Sequence, residues 1–123
     1  MKKITTHVAL LTLSLLFMGF AAMAQAAAGE KPEMKTYVIE RNIPGAGQFT
    51  AEKLKDISKT SCSVLKDMGP GIQWMQSYVT DNKIFCVYKA ENIELLKEHA
   101  KKGGFPITNI YEVSNVISPA TAN

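Results

Sequence analysis

The spacing of apolar residues divides the chain into stretches of alternating character. Met34-Lys35-Thr36-Tyr37-Val38-Ile39-Glu40-Arg41 is rich in β-branched and aromatic residues and stops at Asn42-Ile43-Pro44-Gly45-Ala46-Gly47, which predicts a strand followed by a turn-rich loop. From about Ala51 to Met68 the pattern changes. Leu54, Ile57, Ser61, Val64, Leu65 and Met68 fall on one helical stripe, with Thr50 placed to cap the helix and Gly69-Pro70-Gly71 to end it. Ile72 to Thr80 and Lys83 to Ala90 read as strands around the two-residue turn Asp81-Asn82. A second helix follows Glu91-Asn92 and carries Ile93, Leu96, Ala100 and Gly103 on one face. Gly103-Gly104 and Pro106 stop it, and Thr108 to Val116 gives a last strand.

Strand, helix, strand, strand, helix, strand is the ferredoxin-like βαββαβ order: an α+β fold with a four-stranded antiparallel sheet and both helices on one face. The sheet's other face does not look polar. Ile84, Cys86 and Tyr88 alternate with Phe85 and Val87, and Tyr37 and Ile39 alternate with Val38. Apolar residues on both sides of a strand predict burial of both sides. The simplest cover is a second copy of the chain, so a two-fold dimer with its sheets facing one another as an α/β barrel is expected. The alternative is a monomer with an aromatic-rich exposed surface.

The N-terminus has the layout of an export signal: Met1-Lys2-Lys3, an apolar stretch from Val8 to Ala22, and Ala-x-Ala patterns closing at Ala24, Ala26 and Ala28. The expected organisation is a cleaved signal peptide over residues 1–26, a flexible lead-in over 27–33, one domain over 34–117 and a disordered tail over 118–123. The working protein is then periplasmic or secreted. Cleavage removes Lys2 and Lys3, so the formal net charge falls from +3 by two, to +1. It also removes His7 and leaves His99 as the one histidine. A near-neutral surface offers no footprint for nucleic acid, and no membrane association is expected after cleavage.

Candidate chemistry is sparse. His99, near the end of the second helix and off the centre of its apolar face, reads either as a half-exposed histidine favoured by the helix C-terminus or as a metal ligand or proton-transfer group. Outside the cytoplasm Cys62 and Cys86 have three readings: a disulfide, inert thiols, or a ligand or redox role. Glu40 beside Arg41 reads as a solvated strand end or as a carboxylate able to bind metal or act as a base. The sequence contains no His-x-x-x-His, no Cys-x-x-Cys, no Ser/His/Asp order and no glycine-rich phosphate loop.

Several ordered blocks carry a resemblance: Tyr37-Val38-Ile39-Glu40-Arg41 with Pro44-Gly45, Gly71-Ile72-Gln73-Trp74 leading to Ser77-Tyr78-Val79, Cys86-Val87-Tyr88 with Ala90, and Glu98-His99-Ala100 before Gly104-Phe105-Pro106. Over about Lys35 to Ile117 the chain resembles small bacterial proteins classed as a domain of unknown function and described as nickel-binding or nickel-responsive. The resemblance implies a ferredoxin-like fold, a homodimer and nickel or another divalent transition metal. It places any site among Glu40, Ser77, Tyr78, Cys86, Tyr88 and His99. Relatives often carry a second acid in the hairpin and a proline after the alanine, where this chain has Asn82 and Glu91. The leading expectation is an exported, dimeric, non-catalytic metal-binding protein, with His99, Cys86 and Glu40 as donors and no organic cofactor. The rival is a dimeric-barrel enzyme or small-ligand binder whose site, between the sheets, uses Ser77, Tyr78, Tyr88 and His99.

Overall fold

Alternation in the first strand sets the two sides of the molecule. In β1 (Lys35–Asn42) Tyr37, Ile39 and Arg41 are turned to one side and Thr36, Val38 and Glu40 to the other. The structure, a computed structural model, describes residues 29–123. The expected signal peptide, 1–26, and the first two residues of the lead-in lie outside the described residues. Gly29 to Met34 precede β1 without regular structure.

After β1 the loop contains a short 3-10 turn, Ala46–Gln48. Helix α1 (Ala51–Met68) begins where Thr50 Oγ1 accepts a hydrogen bond from the Lys53 amide at 3.1 Å. Strands β2 (Ile72–Val79) and β3 (Lys83–Ala90) form the predicted hairpin. Helix α2 (Ile93–Gly103) begins at Asn92, whose side chain accepts from the Leu95 amide at 3.1 Å. It ends at Gly104, whose φ of 71° lies in the left-handed region that favours glycine. Gly103 is fixed for a different reason: a Cβ there would stand 2.2 Å from the Phe105 ring. Strand β4 is shorter than predicted, Asn109–Glu112.

The strand order is β2-β3-β1-β4, every neighbouring pair antiparallel, which is the ferredoxin-like arrangement. Tyr37, Ile39, Ile84, Tyr88 and Leu96 centre the core between sheet and helices. Ile39 and Leu96 are fully enclosed, each contributing about 1.5–3 kcal/mol of apolar burial. No helix among the described residues is long and apolar enough to cross a membrane. The tail, expected to be disordered, carries a capped 3-10 turn at Pro119–Ala122, all of it exposed.

Three local features depart from the sequence expectation. On α2 the buried face is Leu96, His99 and Ala100, whereas Ile93 is 37 % exposed, so the face is rotated and takes in the histidine. Glu40 and Arg41 are not a solvated strand end: both are buried, on opposite sides of β1. Strand β2 has a bulge between Trp74 and Gln76. The extra residue puts Trp74 and Ser77, three apart, on the same side of the sheet, opposite Tyr88 and Cys86. The Trp74 indole N–H consequently donates to Ser77 Oγ at 2.9 Å.

Candidate functional site

The helix-covered side gathers a chain of polar groups inside an apolar layer. His99 is fully enclosed, with Nε2 hydrogen-bonded to Ser61 Oγ at 3.1 Å. Ser61 is the buried residue of α1, and its small side chain leaves room for the imidazole. The ring packs between Phe105, at 5.4 Å and nearly parallel, and Tyr88, at 5.3 Å and tilted. Nδ1 has no hydrogen-bond partner. Burial, reinforced by the positive charge of Arg41, lowers the His99 pKa to about 4, so the ring is neutral at pH 7.

Arg41 is the next link. Only 3 % exposed, it donates from Nε to Cys86 Sγ at 3.4 Å and from Nη1 to the Pro106 carbonyl at 2.7 Å, while its Cζ lies 5.5 Å from the centre of the Phe105 ring. Its Nη2 has no acceptor. Burial raises the pKa of Tyr88, against the opposing pull of Arg41 and Ser61. Beside this chain lies a cavity of about 340 Å³ between α1 and the sheet, walled by Ile57 and Ser61 of α1, Trp74 and Ser77 of β2, and Cys86 and Tyr88 of β3.

The open side of the sheet is built around Glu40. Its carboxylate accepts hydrogen bonds from Lys83 Nζ, from Asn109 Nδ2 at 3.0 Å and from the Tyr111 hydroxyl at 3.2 Å. Lys83 first, then Asn109, hold the carboxyl below its ordinary pKa, so it is ionised. Tyr111 moves upward through burial and its bond to Glu40. Register sets Tyr78, Phe85, Glu40 and Asn109 in one row across this side, and Gln76, Val87, Val38 and Tyr111 in the next. Phe85, Val87 and Val38 are half-buried, while Tyr78 and Tyr111 are 56 % and 51 % exposed. Among the described residues nothing covers this apolar band.

The candidate donors are therefore divided. His99 and Cys86 lie on the helix side and Glu40 on the open side. Ser77 and Tyr88 wall the cavity, whereas Tyr78 stands on the opposite face. Cys62 is exposed and Cys86 buried, both as free thiols. No group of three or more His, Cys, Asp or Glu side chains that could hold a metal ion occurs among the described residues. Sequence reasoning passed over Arg41, Ser61, Lys83, Asn109 and Tyr111. Alternation does put Arg41 on the side of Tyr37 and Ile39, but Lys83 and Asn109 meet Glu40 only through strand register.

A protein-family model described as "Nickel responsive protein SCO4226-like" matches residues 37–113. Among solved structures, the crystal structure of SCO4226 from Streptomyces coelicolor A3(2) is similar, with a TM-score of 0.57 and 16 % sequence identity, covering 67 % of this chain and 99 % of that one. At that identity the likeness concerns the fold. No curated protein matches the chain.

Proposed function

Because the chain belongs to the SCO4226-like family of nickel responsive proteins, matched over residues 37–113, we propose that it is an exported, dimeric, non-catalytic metal-binding protein whose ion is nickel or another divalent transition metal. The family match carries this reading. The family is described as nickel responsive, and the residue types present, carboxylate, imidazole and thiolate, all suit that ion.

The described residues of one chain do not make a closed metal site by themselves. His99 offers a neutral ring with an unpartnered nitrogen, but the Arg41 charge beside His99 and Cys86 opposes a cation there. Glu40 is better placed, as an ionised carboxylate at the centre of an apolar face that none of the described residues covers. Lys83, its present partner, has a side chain 44 % exposed and long enough to turn outward. Pairing two copies through this face would bury the band around Tyr78, Val87 and Tyr111 and bring two Glu40 side chains to one interface. His99 and Cys86 remain the inward donors to test against it.

Titration of the mature protein with nickel tests the reading. Saturable binding is expected, weakened about tenfold or more by Glu40→Gln and less by His99→Ala; absence of saturable binding in the wild type would overturn it. Sedimentation should give a dimer that Tyr78→Asp weakens. Export is supported by the lysine start, apolar run and Ala-x-Ala patterns. N-terminal sequencing of the protein from outside the cytoplasm should find a start at Gln25, Ala27 or Gly29, and a retained Met1 would refute cleavage.

A further inference from the structure

We propose that the cavity between α1 and the sheet is a binding site for a small organic monocarboxylate with an apolar body, its carboxylate held by Arg41. Three observations converge. A guanidinium keeps its charge at any ordinary pH, and a buried one without an anion is an unfavourable arrangement that an incoming anion relieves. Arg41 is in that position: 3 % exposed, in the cavity wall, with Nη2 unpartnered and, among the described residues, no carboxylate paired with it.

The wall supplies the second observation. It holds no Asp or Glu that would repel an anion and no Lys that would add a second charge. Arg41 apart, it is apolar surface with a few neutral polar groups: the hydroxyls of Ser58, Ser61, Ser77 and Tyr88, the Trp74 indole and the Cys86 thiol. A single positive group in such a lining matches one negative charge on an apolar body. Phosphate esters and polyanions would leave charge without a donor.

Size and access are the third. At about 340 Å³ the cavity lies at the small end of ligand pockets, suited to a benzoate or a hexanoate. Val79, which lines it, is 40 % exposed, so solvent reaches the cavity from the β2 side. This site is separate from the open sheet face around Glu40, and nickel binding can fail there without affecting it.

Trp74 lines the cavity and is the chain's one tryptophan, so its fluorescence reports occupancy. In metal-free, low-chloride buffer, benzoate and hexanoate should each give a saturable change, and uncharged benzamide should bind about tenfold more weakly or worse. Arg41→Gln should lower benzoate affinity about tenfold, with folding checked by circular dichroism. Ser58→Phe keeps Arg41 and fills the cavity; the Ser58 hydroxyl bonds only the Leu54 carbonyl of its own helix. That variant should fold and lose binding even if Arg41→Gln does not fold. No saturable response in the wild type, equal binding of benzamide, or wild-type binding by folded Ser58→Phe would each overturn the proposal.

Discussion

Glu40 and Arg41 are consecutive residues of β1, both buried, yet the two sides of the sheet treat their charges differently. The Glu40 carboxylate, on the open side, is met by an ammonium, an amide and a phenol. Arg41, under the helices, meets a thiol, a carbonyl and an aromatic face, and keeps one nitrogen without a partner. The open side can recruit long side chains from neighbouring strands because solvent leaves them room. The covered side is packed by apolar residues and a helix, so among the described residues its charge meets dipoles and no opposite charge. A buried charge left in that condition is the more informative of the two, because structural stability alone gives little reason to retain it.

The comparison breaks most directly at the paired positions Ile39 and Val38. Ile39→Ala empties the core and should cost about 3 kcal/mol in urea unfolding, whereas Val38→Ala, on the open face, should cost about 1 kcal/mol or less. Equal losses would mean that the open face is covered as completely in solution as the other.

The next effect is in pH. His99 titrates near its ordinary 6.5 when unfolded and at about 4 when folded. The unfolded chain therefore binds the extra proton first, and the histidine's contribution, full above about pH 6.5, is lost as pH falls toward 4. Between pH 6.5 and pH 4.5 it should remove about 2–3 kcal/mol of stability, and His99→Leu should flatten that part of the profile. An unchanged slope in the variant would show that the ring is not held neutral by the fold.

Ser77→Ala removes the acceptor for the Trp74 indole and should cost about 1 kcal/mol by thermal or urea unfolding. The smallest test concerns the open face. Lys83→Met removes the leading cause of the depressed Glu40 pKa, so the carboxyl should titrate closer to its ordinary 4.5 by carbon-detected NMR. Stability supplied by Glu40 is present above that ordinary value and is lost as pH falls through the lowered one, so the variant should give up less of it in acid. A Glu40 titration unaffected by the substitution would mean that Asn109 and Tyr111 suffice.

The sequence by itself determined the element order and nearly all the boundaries, because apolar periodicity, the caps at Thr50 and Asn92 and the Asp81-Asn82 turn are local signals. It also determined that strand β3 turns Ile84, Cys86 and Tyr88 to one side and Phe85 and Val87 to the other. Tertiary structure alone decided which chemistry meets. The bulge at Met75 reverses strand alternation and delivers Ser77 to Trp74. The rotation of α2 encloses His99 against Ser61, thirty-eight positions away in the chain, and register brings Lys83 and Asn109 to Glu40. These contacts join distant segments and depend on how helices seat on a twisted sheet, which no local pattern encodes. The charge of Arg41 is the clearest case: alternation gives its side, but only packing shows that no carboxylate among the described residues accompanies it.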